Sequence, residues 1–297
     1  MSKTTDPRLA IDFCGLRFNT PLVLLSGCVG FGEEYTRVAG FSNRDAGAVC
    51  LKGTTLKPRL GNPPHRVCET ASGMLNAIGL QNPGVDHVVD RILPTLDFDE
   101  TRFIANVSGS TVEEYYEVTR RFDDSPIDAI EINISCPNVK EGGVAFGNDR
   151  KMSAQVVAAC RSATRKPLIT KLSPNQTDIA ANARACLEAG SDAFSVINTL
   201  MGMAIDSESR LPILGNNQGG LSGPAIKPRP AQGSPGVSGV PGARGAHHRP
   251  RRHRLCRGRA RVHDRGCQCG GGGDGPFLRS ADTSGYESRD RGVSGPP

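Results

Sequence analysis

The chain has 297 residues, 37% hydrophobic and 22% charged, which is enough for one large domain with a substantial core. Its formal charge of +6 is uneven: residues 229–297 carry 13 Arg and no Lys against four Asp and one Glu, a net +8, leaving 1–228 with 23 basic and 25 acidic side chains, a net −2. The near-neutral body excludes an electrostatic case for a nucleic-acid or membrane partner. Ten Cys are too few for a disulfide scaffold, so reduced thiols in a cytoplasmic protein are expected.

Short apolar runs alternate with longer amphipathic stretches from the N-terminus onward, the signature of βα units. Met1 to Arg8 is polar, with no apolar leader segment, and no run of about eighteen apolar residues reads as a membrane span. Strands are expected at Leu22–Leu25, Ala48–Leu51, Phe103–Val107, Ala129–Ile134, Leu168–Leu172 and Ala193–Ile197. Helices are expected at Val85–Leu96, Val112–Phe122, Ser153–Thr164 and Asp178–Ala189, with Thr111 and Thr177-Asp178 as starts.

Six such units fit either a doubly wound open sheet or the first part of an eight-stranded barrel. Polar residues decide between them. Nearly every strand is followed by one with binding or reactive chemistry: Ser26 and Gly27, Lys52, Asn106, Ser135 and Cys136, Lys171, Asn198 and Thr199. A barrel gathers all its strand C-termini at one mouth, whereas an open sheet concentrates ligands at a single crevice. The expected fold is therefore an α/β (β/α)8 TIM barrel over residues 1–228.

The run Glu131-Ile132-Asn133-Ile134-Ser135-Cys136-Pro137-Asn138 is the most informative. The strand brings Asn133 to the rim, and Pro137 stops it and projects Cys136 into the following loop. A free thiol titrates near pH ~8.5, so at neutral pH a minor fraction is thiolate and can act as nucleophile or base. The body histidines, His65 and His87, stand at no strand end.

Together with six further runs, this segment resembles the class 1 dihydroorotate dehydrogenases, and more narrowly their 1B catalytic subunit. The other runs are Ser26-Gly27-Cys28 with Gly30-Phe31-Gly32, Leu51-Lys52-Gly53-Thr54-Thr55, Met74 to Gly84, Lys171-Leu172-Ser173-Pro174-Asn175, Ile197-Asn198-Thr199, and Gly219 to Pro228. The resemblance implies FMN over the barrel mouth and oxidation of dihydroorotate to orotate in pyrimidine biosynthesis, with Cys136 removing the C5 proton as a hydride leaves C6. It also implies that Lys52, Asn76, Gly79, Leu80, Asn133, Asn198 and Thr199 bind substrate. Ser26, Gly27, Lys52, Gly53, Asn106, Asn133, Lys171, Ile197 and Gly223 would bind the cofactor. Amides suit an imide-like ring because each offers donors and an acceptor, and a cation beside the flavin stabilises its reduced anion.

Gln81 and Lys171–Asn175 point to the 1B branch, which implies a homodimer associated with an electron-transfer subunit carrying FAD and an iron–sulfur cluster, with NAD as final acceptor. The body itself holds neither a cluster-type Cys spacing nor a dinucleotide fingerprint, and no metal site is expected. A related flavin barrel acting on uracil-type rings, and a catalytically dead barrel fragment acting only in interactions, are the alternatives.

After Pro228 the sequence leaves the family pattern. Gly, Arg, Pro and Ser dominate, Ile, Met, Asn and Lys are absent, and no strand or helix period emerges. Strands seven and eight of the barrel, whose loops would hold the FMN phosphate, are expected to be missing or replaced. Residues 229–297 are read as a disordered tail from a frame shifted near codon 228. Cys256, His263, Cys267 and Cys269 lack the spacing of a zinc site.

Overall fold

The computed structural model describes residues 6–135 and 147–227, together with the backbone of Ala260–His263, Gly266–Cys269 and Phe277–Leu278. Cys136, Pro137 and Asn138, and most of the tail, lie outside the described residues.

A hairpin opens the chain: β1 (Ile11–Phe13) pairs antiparallel with β2 (Leu16–Phe18) across Cys14 and Gly15, both at positive φ. The parallel strands follow as β3 (Val23–Leu24), β4 (Ala48–Cys50), β7 (Arg102–Val107), β8 (Ala129–Asn133), β9 (Leu168–Leu172) and β10 (Ala193–Val196). Each lies beside its predecessor in the series, with no reversal of order. A doubly wound sheet must reverse order at a switch point, so this single winding is that of a barrel.

Residue alternation then divides the core. One face of the strands presents Val23, Ala48, Cys50, Ile104, Ala129, Ile169 and Ala193, which pack together with Phe13 and Phe18. The hairpin thus contributes two aromatic rings, 5.4 Å between centroids, to the interior of the curved sheet. The other face, including Val49, Phe103, Ala105, Ile130, Ile132 and Leu168, packs beneath the helices.

Helix starts follow from capping chemistry. Thr111 accepts a bond from the backbone of Glu114 while Glu114 accepts one from Ser110, opening α2 (Val112–Asp123) with a reciprocal cap. Asp149 and Asp178 cap α3 (Arg150–Ala163) and α4 (Ile179–Glu188) one way only, each carboxylate accepting from the backbone three residues on, at Met152 and Ala181. Tyr115, Val118 and Phe122 of α2 recur every three or four residues, Val156 and Val157 of α3 stand four and three residues before Cys160, and all six are wholly buried in one cluster.

Four features were not foreseen in the sequence. The helix expected at Val85–Leu96 is one α turn, α1 (Val85–His87), followed by a wide turn over Val88–Ile92 and a tight one over Leu93–Thr95. Pro94 lacks the N–H that a continuing helix needs. Long loops between strands also fold into an unforeseen antiparallel sheet of β5 (Val67–Thr70), β6 (Gly73–Asn76), β11 (Leu200–Gly202) and β12 (Gly219–Ser222), in the order β11-β12-β6-β5.

The described residues of the tail form three short strands. Here β13 (Ala260–His263) pairs with β14 (Gly266–Cys269), and β15 (Phe277–Leu278) adds in parallel beside β10. An open parallel edge offers unpaired backbone groups to any extended segment, whatever its side chains, so a two-residue strand stands where the seventh barrel strand is expected. Finally, Cys14 is disulfide-bonded, whereas Cys28, Cys50, Cys68, Cys160 and Cys186 are free thiols as expected.

Candidate functional site

The inward residues near the strand C-termini are polar, in contrast to the apolar layer below them. Register sets Asn106 of β7 beside Glu131 of β8, and Asn133 of β8 beside Lys171 of β9. Because Glu131 and Asn133 are two residues apart on one strand, they share a face. Asn106, Glu131, Asn133 and Lys171 are all at most 6% exposed, so each polar atom needs a partner inside the protein.

Those partners form one network. The Glu131 carboxylate, through Oε1, accepts from Asn106 Nδ2 at 2.6 Å and from Cys50 Sγ at 3.3 Å, with Lys171 Nζ at 3.9 Å. Burial first, and then the Glu131 charge, push the Cys50 thiol well above the ordinary thiol range, so it stays protonated and donates. Asn106 Oδ1 in turn accepts from Asn133 Nδ2 at 3.3 Å. Asn133 Oδ1 accepts from Asn198 Nδ2 at 3.4 Å and from the Ser135 hydroxyl at 3.3 Å. Asn198 Nδ2 also reaches Ser135 Oγ at 2.9 Å, and its own Oδ1 accepts from the Thr199 backbone at 2.8 Å.

Around this network the remaining expected residues take distinct places. Gly53 is buried above β4, where an added Cβ would stand 2.9 Å from Asn106 Oδ1, 3.1 Å from Leu80 Cδ2 and 3.5 Å from Ser108 Oγ. Leu80 is held at a φ of +55° just after Gly79 at +76°, so the loop turns sharply there. Half-buried Lys52 follows β4 and ties its backbone to Gly30 at 2.8 Å. Half-buried Ser26, two residues after β3, contacts the Cys50 thiol through its backbone.

Two groups sit further from the network. Asn76, at the end of β6, donates to the Gly220 carbonyl at 3.4 Å within the antiparallel sheet, and Gly223, just after β12, lies against Gly73 of β6. Gly27 is exposed at a φ of +91°. The Ile197 side chain packs into the hydrophobic core under the helices, so only its backbone is left to serve a ligand. Cys136, the expected base, lies outside the described residues.

Sequence reasoning passed over three groups. Glu131 stood inside the quoted run without a role, although its two-residue spacing from Asn133 already placed both on one face. Tyr115 of α2 donates from its hydroxyl to the Asn133 carbonyl at 2.8 Å, a contact between elements that no local pattern announces. Ser108 Oγ is buried and has no hydrogen-bond partner among the described residues. An orphaned hydroxyl, a glycine with no side chain to fill the adjacent space, and a convergent set of amides and a buried ammonium fit a polar planar ring system such as a flavin. Among the described residues, no group of His, Cys, Asp or Glu is placed to hold a metal ion, and no helix is long and apolar enough to cross a membrane.

Comparison with known proteins bears on the same stretch. The family model described as dihydroorotate dehydrogenase matches residues 8–232. The protein of Pelobacter propionicus named dihydroorotate dehydrogenase B (NAD(+)), catalytic subunit, is 52% identical over 223 residues, which cover 75% of this chain and 73% of that one. The protein of the same name from Listeria welshimeri is 51% identical over 222 residues, covering 74% and 72%. A crystal structure of the Eimeria tenella DHODH in complex with ferulenol superposes with a TM-score of 0.67 at 24% identity, over 81% of this chain and 72% of that chain, a likeness of fold.

Proposed function

The chain belongs to the dihydroorotate dehydrogenase family, and on that footing we propose that it oxidises dihydroorotate to orotate in pyrimidine biosynthesis, with FMN accepting the hydride and Cys136 serving as general base. The observation that carries this reading is the amide network from buried Asn106 and Asn133 to half-buried Asn198, anchored on Glu131 and flanked by Lys171 and Gly53.

When bound, FMN supplies a two-electron acceptor for the hydride from C6. The residues of the chain do the rest. Asn106, Lys171 and Gly53 hold the ring system, Lys171 placing a positive charge where reduction adds negative charge. Ser26, Gly27, Gly223 and the backbone at Ile197 support the cofactor around it. Asn76, Asn133, Asn198 and Thr199, with the tight turn at Gly79 and Leu80, orient the substrate ring and carboxylate by complementary donors and acceptors. Lys52 compensates the substrate's anionic charge. Cys136, as thiolate, takes the C5 proton and becomes the neutral thiol. Orientation matters here because neither C–H bond is acidic, and proton and hydride must leave adjacent carbons together or in close succession.

The names carried by its relatives support the rest of the proposal: this chain is the catalytic subunit of a B-type enzyme with NAD as final acceptor. Electrons then pass to a separate subunit holding FAD and an iron–sulfur cluster, and the catalytic subunit is a cytoplasmic homodimer. The test is direct. Purified protein incubated with FMN and desalted retains flavin absorbance, and anaerobic dihydroorotate bleaches it. Protein that retains no flavin under any loading condition, or flavin that dihydroorotate leaves oxidised, refutes the proposal.

A further inference from the structure

We propose that Glu131 is a positioning residue that sets both the donor–acceptor polarity of the amide chain at the barrel mouth and the charge balance of Lys171. This deepens the proposed function and rests on it where the flavin is concerned.

The polarity of the amide chain follows from which groups can donate and which can only accept. An amide presents two different ends, and either can point either way unless its partners forbid one. A carboxylate only accepts, so Glu131 Oε1 obliges Asn106 to turn Nδ2 inward and Oδ1 outward. That outward oxygen then obliges Asn133 to present Nδ2 to it. Asn133 Oδ1 must therefore face Asn198 and Ser135, both of which donate. At the far end the Thr199 backbone N–H, which only donates, holds Asn198 Oδ1. The chain thus runs from an acceptor-only group inside the barrel to a donor-only group at the rim. Every amide between them has one satisfied orientation, and so does the pattern left facing a ligand.

Glu131 is 1% exposed and the Lys171 side chain 8%, so the two charges are hardly screened by water and partner each other across 3.9 Å. Cys50 adds a second hydrogen-bond donor to the same oxygen, beside that of Asn106. Removing the anion leaves the ammonium uncompensated, and an uncompensated cation beside a flavin favours its reduced anion.

Two variants of the full-length protein separate these roles. Glu131→Gln keeps an acceptor for Asn106 but removes the charge, and Glu131→Leu removes both. The first readout needs no flavin: side-chain amide resonances of asparagine-labelled protein, with backbone resonances of β7 and β8 as the check that the barrel interior is intact. In the wild type the Asn106 amide protons are shifted downfield by a charge-assisted bond and exchange slowly with solvent. The downfield shift shrinks in Glu131→Gln, and in Glu131→Leu slow exchange is lost at both Asn106 and Asn133. Should Glu131→Leu fail to fold, Glu131→Gln carries the test alone through its loss of downfield shift.

The second readout uses FMN-loaded protein. In Glu131→Gln the ratio of reduced to oxidised flavin at a fixed potential rises at least tenfold, equivalent to about 30 mV for two electrons. In Glu131→Leu, orotate binding, followed by its perturbation of the flavin spectrum, weakens at least tenfold. Asn106 resonances that do not differ between wild type and the variants overturn the inference whether or not flavin binds. So does an unmoved flavin equilibrium in a folded, FMN-loaded Glu131→Gln. Wild-type protein that shows the expected resonances but takes up no FMN overturns the proposed function and leaves the amide polarity established.

Discussion

Replacing Tyr115 by Phe probes how a helix positions the strand end that carries the candidate site. The Tyr115 ring is wholly buried between α2 and the sheet, and its hydroxyl donates to the Asn133 carbonyl at 2.8 Å. Phe keeps the ring and opens no cavity larger than one oxygen, so the change acts through the hydroxyl. A buried hydrogen bond contributes ~1 kcal/mol net, and a carbonyl left dry without its donor raises the loss to at most ~3 kcal/mol. With Tyr115 fully enclosed, about 2 kcal/mol is the expected value, which for a folded body of this size lowers the thermal midpoint by ~4–8 °C. Because Asn133 is also the central amide of the network, its side chain loosens and orotate binds more weakly. Thermal melts and orotate titration of FMN-loaded protein check both effects, with the half-buried neighbour Tyr116 changed to Phe as control. A Tyr115→Phe protein that melts with the wild type and binds orotate equally well refutes the proposed coupling between α2 and the site.

Three other outcomes are expected. Gly53→Ala pushes a methyl against Asn106 Oδ1 and Leu80, destabilising the fold by ~1–3 kcal/mol and weakening FMN binding by more than the stability loss alone explains, which fluorescence titration measures. Lys171→Met leaves Glu131 buried without its cation; it lowers the urea midpoint by an amount equivalent to ~3–5 kcal/mol, and adding Glu131→Leu recovers part of that loss. Burial pushes the Cys160 and Cys186 thiols up to about 12. Their folded values exceed their unfolded ones, so their contribution is complete below the ordinary thiol range and is lost as pH rises towards 12. Urea midpoints therefore fall on the alkaline side, and replacing both cysteines by Ala flattens that decline.

The parallel strands were legible because each is a short apolar run bounded by polar residues, and burial on both faces demands that pattern. Leu168–Leu172 has the same bounds in sequence and structure, and Ala48, Ala129 and Ala193 open their strands as expected. The antiparallel sheet was not legible, because β6 pairs with β12 across almost 150 residues of chain and neither run is apolar enough to announce itself. The N-terminal hairpin was missed for another reason: Ile11–Phe13 and Leu16–Phe18 are three residues each, too short for alternation to stand out.

Within the candidate site, the residues that follow strands were expected together as a group, since chain order alone sends strand ends to one mouth. What chain order does not carry is which side chains pair. Glu131 gains its importance from Asn106, Cys50 and Lys171 on three other strands. That information lies in register, which a list of motifs does not contain. The converse holds for Ile197, which a motif places near the flavin but whose side chain the helix packing claims.

The central claim is that Cys136 removes a proton while the flavin on the same barrel takes the hydride. The most direct measurement is the rate of flavin bleaching after anaerobic mixing of dihydroorotate with FMN-loaded wild-type and Cys136→Ser proteins at one pH. General-base catalysis contributes ~10²–10⁴-fold, so Cys136→Ser is expected to retain FMN and bleach at least a hundredfold more slowly. Equal bleaching rates in two proteins holding equal flavin would contradict the role assigned to Cys136.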